Sequence, residues 1–227
     1  MNFFQLPHQA KKDKSIPKNA FYDYATSKQK QLFVDVVDKI RWQYKLASDT
    51  INLEGDEVQE IQIFEISLKQ KKNIESVLPI IEKAIPYHII FIISFAEEVM
   101  LYTSQKHAHP VNENNAVVDW VFKTDWFDSA SSKYNIILKE SLDKVFSDFC
   151  FQISNNSEIS SKKNLKELIE KEQKIQELKN QINSLEAQIK KTKQFNKKQP
   201  LNSRLNKLKV ELLFLLSDKP LYNNLKK

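Results

Sequence analysis

The chain has 227 residues, 41% of them hydrophobic and 28% charged, with a formal net charge of +6 and a single glycine. That length and apolar content support an ordinary packed core and fit one α/β domain plus an extension. One cysteine excludes an internal disulfide, one glycine excludes Gly-rich phosphate-cradling loops, and no apolar run approaches the length of a membrane span.

Residues 1–25 hold Pro7, Pro17 and the basic residues Lys11, Lys12, Lys14 and Lys18, with Phe3, Phe4, Phe21 and Tyr22 as anchors; they read as an arm on the domain. No secretory leader is visible there, so a cytoplasmic location is expected. From Thr26 a helix is predicted, with Thr26 or Ser27 as N-cap and Leu32, Phe33, Val36, Val37 and Ile40 on one face. Alternation over 41–46 then predicts a strand, and 49–56 a turn containing Gly55. Residues 57–69 are apolar on both faces in their middle, as in a central strand. Asn73 is a candidate cap for a helix whose stripe is Ile74, Val77, Leu78, Ile81, Ala84 and Ile85, interrupted by Pro79. Residues 87–95 are too short to cross a bilayer and read as a buried strand, so strand, helix and strand form a crossover with parallel strands. A strand over 99–104, a polar loop over 105–115 and a last strand over 117–126 complete a mixed sheet. Helical spacing returns over 132–150, where Cys150 reads as a small core residue.

Residues 1–152 thus read as a mixed-sheet α/β domain with packed helices, and the Ser/Asn-rich stretch 153–163 as a linker. Beyond it, Leu168, Ile175, Ile182 and Ile189 repeat every seven residues, with Leu178 and Leu185 three further on. Past Pro200, Leu201, Leu205, Leu208, Leu212 and Leu215 step by four and three. Residues 164–227 are therefore expected to form an antiparallel coiled-coil hairpin. Its arms, 164–192 and 201–216, would be about 43 Å and about 24 Å long. The base of the longer arm, with Leu165, Leu168, Ile169 and Ile175, then needs another surface: the domain, the C-terminal segment or a second chain.

Charge is segregated along this hairpin. Between Glu186 and Glu211 no residue is acidic, while Lys190, Lys191, Lys193, Lys197, Lys198, Arg204, Lys207 and Lys209 are basic. The rest of the chain carries 27 basic against 29 acidic residues, so the positive excess is local and implies an anionic partner. Solvation of a coiled-coil exterior does not explain it, since such exteriors mix signs. Phe195, between Gln194 and Asn196 in the turn, either plugs the bend or offers a contact surface. The expected contact set is Lys190, Lys191, Lys193, Gln194, Phe195, Asn196, Lys197, Lys198, Arg204 and Lys207.

The turn segment 193–202 (KQFNKKQPLN), followed by 204–212 (RLNKLKVEL), resembles the tip of the bacterial domain-of-unknown-function family 4391. In that family a segment similar to EKQFNRKVELN precedes a leucine-spaced helix. The blocks 40–53 (IRWQYKLASDTINL), 60–69 (EIQIFEISLK), 84–86 (AIP) and 124–126 (TDW), with short proline-containing matches near the start, are similar too. Thr192, Lys197 and Pro200 depart from the pattern, which has an acid, an arginine and an acid there. The resemblance implies a companion of DNA methyltransferases and helicase-type restriction subunits in defence loci. It assigns no residue a role.

The sharpest enzymatic alternative is a degenerate Mg²⁺-dependent nuclease of the PD-(D/E)xK type, with Glu60 and Gln62 on one strand face and Asp49 or Asp56 as a second acid. Glu65 and Lys69, four apart, are separated by about 13 Å along a strand, too far for one metal-centred site. His107 and His109 lack a third ligand for zinc. No metal or cofactor is therefore expected. The reading is a non-catalytic accessory subunit of a DNA-related complex. It would dock on a larger helicase- or methyltransferase-type subunit, with a basic tip touching DNA, RNA or a partner surface. A self-associating scaffold is a further alternative.

Overall fold

A computed structural model describes residues 3–108, 116–154 and 164–217, and the chain divides into two compact units, Met1–Ser161 and Lys162–Lys227. In the first, a seven-stranded mixed sheet is ordered in space as β1 (Lys11–Ile16), β2 (Val37–Ala47), β3 (Glu60–Leu68), β4 (His88–Phe95), β5 (Glu98–Ala108) and β6 (Ala116–Lys123). The two-residue β7 (Phe127–Asp128) pairs with β5. β3 and β4 are parallel and joined through α3 (Leu78–Ala84), while every other pairing is antiparallel. This is the mixed α/β architecture, with its strand–helix–strand crossover, that the hydrophobic pattern predicts.

Both faces of β3 and β4 are covered, which is why these strands are nearly continuous apolar runs. On one face Phe64, Ile66, Ile89, Phe91 and Ile93 meet Phe21 of a 3-10 segment, Phe33 of α1 (Ser27–Asp35), and Leu78 and Ile81 of α3. The other face carries α4 (Leu142–Ile153). His88 precedes Ile89 in β4 and so points the opposite way, and its ring lies 4.4 Å from that of Phe146. Phe4 packs on Phe149 on this side, and Cys150 is fully buried, its thiol pushed up by desolvation.

Several boundaries differ from the sequence reading, each for a physical reason. Residues 11–16 form an edge strand rather than part of an arm; lysines suit an edge because they discourage further strand addition. α1 starts with a reciprocal capping box between Thr26 and Gln29 but stops at Asp35, so Val37 and Ile40 belong to β2. α3 begins at Leu78 rather than after Asn73, with Pro79 in its first turn, where the missing N–H has no helical partner to lose. The helix expected from 132 begins only at Leu142. Glu140 takes a left-handed φ of 60°, and the Ser141 side chain caps the new helix by accepting from the Lys144 N–H. β5 continues through residues assigned to a loop, while 109–115, including His109, and the linker residues 155–163 lie outside the described residues.

The only glycine is fixed by contact. After the short helix α2 (Ser48–Ile51), the segment 54–58 folds against the start of α4, and a Cβ on Gly55 would sit 2.3 Å from the Val58 carbonyl oxygen and 2.8 Å from Asp143 Oδ2. The Asp143 carboxylate accepts from the backbone N–H groups of Asp56 (2.7 Å), Glu57 (3.0 Å) and Val58 (2.9 Å). Burial alone would raise its pKa, but these three bonds outweigh burial and hold the carboxyl below the usual Asp range.

In the second unit α5 (Leu165–Lys191) and α6 (Phe195–Leu216) form the hairpin through a turn over Thr192–Gln194. Glu186 pairs with Lys209 and Lys174 approaches Glu211, so the helices run antiparallel. Ile182, Leu185 and Leu205 are buried in the seam, with Ile189, Leu201, Leu208 and Leu212 packed on them. α6 starts six residues before Leu201 and passes through Pro200, whose fixed φ is helical and which forgoes one bond, to the Asn196 carbonyl. The arms of 27 and 22 residues are therefore about 40 Å and about 33 Å long, closer to equal than the leucine spacing indicates. Among the described residues no helix is long and apolar enough to cross a membrane.

Candidate functional site

The hairpin gathers most of the expected contact residues at one end. Asn164 caps α5 at its base, and at its tip the Thr192 hydroxyl donates to the Gln188 carbonyl and closes the last turn. Lys190 and Lys191 occupy that last turn, Lys193 and Gln194 the bend, and Phe195, Asn196, Lys197 and Lys198 the first turn of α6. Arg204 and Lys207 lie further down α6, about 14 Å and about 18 Å from Phe195 along the axis. Lys197 and Arg204, seven residues apart, share a face.

Two properties distinguish this end of the hairpin. Phe195 is 82% exposed and so does not plug the bend. Of the eight basic residues, Lys209 is taken by Glu186 at 2.7 Å, and the hydrogen bond and charge of Lys209 hold the Glu186 carboxyl below its usual range. Among the described residues, Lys190, Lys191, Lys193, Lys197, Lys198, Arg204 and Lys207 form no ion pair. Lys190, Lys191, Lys193, Lys197 and Lys198 thus form a cationic cluster beside an exposed ring, with Lys190 also acting on the Glu186 carboxylate.

Leu168 and Ile175 are 4% and 5% exposed within the chain, while Leu165 and Ile169 are half-buried. On α6, besides Phe195, Val210, Leu213 and Leu216 are 66%, 65% and 55% exposed. Sequence reasoning missed this stripe because it tracked only the leucine seam.

On the sheet, Glu60 and Gln62 are buried side by side, with Gln62 Nε2 donating to Glu60 Oε1. Lys45 sits 3.4 Å from Glu60 Oε2 and 3.0 Å from Asp49 Oδ2, and its pKa is raised chiefly by the hydrogen bond to Asp49. The two carboxylates are thereby bridged by an ammonium group. Glu65 faces the other side of β3 and accepts from Gln43, and Lys69 donates to the Val34 carbonyl at 2.7 Å, so neither joins Glu60. His107 Nδ1 lies 2.9 Å from Asp119. Among the described residues no group of three or more His, Cys, Asp or Glu side chains converges on a metal-sized site.

A second buried polar group also escaped sequence reasoning. Glu82 of α3 accepts from the Ser104 hydroxyl, and Lys106 Nζ donates to the carbonyls of Ile85 (2.8 Å) and Glu82 (3.4 Å). Desolvation raises the Glu82 pKa and pushes Lys106 down to about 8. Lys106 serves as a C-terminal cap for α3, an anchor at the entry to β4. The single signal for it in the sequence is an acid inside the apolar stripe of α3.

With this geometry in place, the comparisons give one family. The model described as "Domain of unknown function (DUF4391)" matches residues 4–212, and the chain belongs to that family. No curated protein and no solved structure matches the chain.

Proposed function

We propose that the protein is a non-catalytic accessory subunit of a bacterial DNA-related complex and that its hairpin tip contacts a nucleic-acid backbone. The observation that supports this most is the cluster of Lys190, Lys191, Lys193, Lys197 and Lys198, none of them in an ion pair among the described residues, beside an exposed Phe195. Lysine and arginine that neutralise phosphates release condensed counterions, and an exposed ring can stack on or wedge beside a base. The sheet domain, whose carboxylates are bridged or turned apart, supplies a docking body for a larger helicase- or methyltransferase-type subunit; the resemblance to companions of restriction enzymes supports that pairing.

The test is fluorescence anisotropy with labelled duplex and single-stranded oligonucleotides over a salt series. Replacing Lys193, Lys197, Lys198 and Arg204 by alanine should flatten the slope of log K against log salt by about 3.6 for duplex and about 2.8 for a single strand. Unchanged affinity in that variant, with its helical circular dichroism retained, would reject the nucleic-acid contact. Phe195→Ala should cost about 1–3 kcal/mol if a base stacks on the ring.

A second reading is favoured by one observation, the placement of Glu60 and Asp49 on either side of Lys45, with Gln62 bonded to Glu60. A degenerate nuclease would need Lys45 to release both carboxylates to Mg²⁺. Mg²⁺-dependent cleavage lost in Glu60→Ala would establish that reading over the accessory one.

A further inference from the structure

α6 carries two seams. The inner one, Leu201, Leu205, Leu208 and Leu212, faces α5. At 100° per residue, Ser203, Lys207, Val210 and Phe214 fall on nearly the opposite side of the helix, and they too are spaced by four, three and four. These four, with Asn206 and Glu211, line a shallow groove of about 590 Å³. Val210 is 66% exposed, and Leu213 on its flank 65%. Nothing in the inner seam calls for apolar residues here, and a coiled-coil exterior is ordinarily polar.

We infer that this outer seam is a self-association surface and that its occupant is the same seam of a second copy, packed antiparallel about a two-fold axis between Lys207 and Val210. The groove is complementary to itself in that arrangement. Ser203 of one copy lies opposite Phe214 of the other, small against large, and the match repeats across the axis. Lys207 falls beside Glu211 of the second copy, again twice, so the one cation and the one anion of the groove neutralise each other. Within the chain Glu211 lies 3.9 Å from Lys174, too long for a hydrogen bond, which leaves it open to a closer partner. A parallel pairing would instead stack Lys207 on Lys207 and Glu211 on Glu211. One helix face of about three turns sits at the lower end of specific interfaces, so the association should be micromolar and concentration-dependent. The arrangement leaves Phe195 free on each copy and sets the two tips about 40 Å apart along the shared axis, facing opposite ways.

The experiment is sedimentation equilibrium of the full chain from 5 to roughly 500 μM, repeated for Val210→Asp, Phe214→Ser, Glu211→Lys and the double change Lys207→Glu with Glu211→Lys; circular dichroism checks that each variant keeps its helices. The wild type should dimerise over this range. Val210→Asp and Phe214→Ser should weaken it at least tenfold, and the double charge reversal should restore what Glu211→Lys loses. A strict monomer at the highest concentration overturns the inference, as does a dimer that neither Val210→Asp nor Phe214→Ser weakens. A full chain that dimerises only after Leu221→Ser and Leu225→Ser are introduced also overturns it, because the chain's own C-terminal segment then occupies the seam.

Discussion

Replacing Asp143 by alanine isolates the contact that holds the 54–58 segment to α4. The carboxylate accepts three backbone N–H bonds, at 2.7, 3.0 and 2.9 Å, and charge-assisted bonds contribute about 1.5–3 kcal/mol each at most. Asp56 and Glu57 are exposed and their N–H groups find water in the variant, so the partly buried Val58 N–H dominates the loss. Asp143 also stands in the first turn of α4, where a negative charge adds about 0.3–1 kcal/mol. The expected cost is about 2–3 kcal/mol, a shift of roughly 4–10 °C in Tm. Trp42, Trp120 and Trp126 all lie in the sheet unit, so tryptophan fluorescence during urea unfolding reports that unit alone. The pH dependence supplies an independent check. The folded pKa is depressed below 3.8, so the contribution is fully present above that value and is lost as pH falls through the folded pKa. The alanine variant should lack this part of the acid slope. A loss under about 0.5 kcal/mol, or an acid limb identical to the wild type, would refute the assignment.

Three further outcomes follow from other contacts. Gly55→Ala should destabilise the same unit by more than 1 kcal/mol or so, because its Cβ would meet the Val58 carbonyl oxygen at 2.3 Å; unchanged urea unfolding would show that the backbone shifts freely there. Lys106 titrates near 8 when folded and 10.5 when unfolded, so unfolding free energy should rise between those pH values by up to about 3 kcal/mol, and Lys106→Met should abolish that rise. Pro200→Ala restores the N–H that α6 lacks at its sixth residue and should raise the helical signal of the hairpin and slow amide exchange near the tip; faster exchange there would mean that the proline ring is needed for the bend.

The parts of this molecule that were legible in the sequence are those set by burial on a regular period. β3 and β4, apolar on both faces, and the heptads of α5 are where the pattern puts them, and the Thr26 capping box marks its helix start. What was not legible depends on position rather than period. Residues 11–16 have no apolar alternation because an edge strand with solvent on one side needs none. Residues 132–141 mimic helical spacing through Ile136 and Ile137, yet Ile136 is 9% exposed and Ile137 45%, and the left-handed Glu140 interrupts the chain before Ser141 can cap. At the tip, composition identified the cations but not which are free; the Lys209–Glu186 pair emerges only when the two arms are brought together. Pro200 was misread as a boundary because one lost bond near a helix start is a smaller penalty than its reputation implies.

The sheet has one further consequence. Its strands lie side by side in the same order in which they occur in the chain, from β1 to β6. Each strand thus finds a completed neighbour waiting when it is synthesised, and no loop must close over a strand that has yet to be made. Short sequence separations between partners favour fast folding, and here they also permit growth from the amino terminus while the remainder is still on the ribosome. Each newly added strand presents an open edge until its successor pairs with it, and the second face of the sheet stays uncovered until α4 has been made.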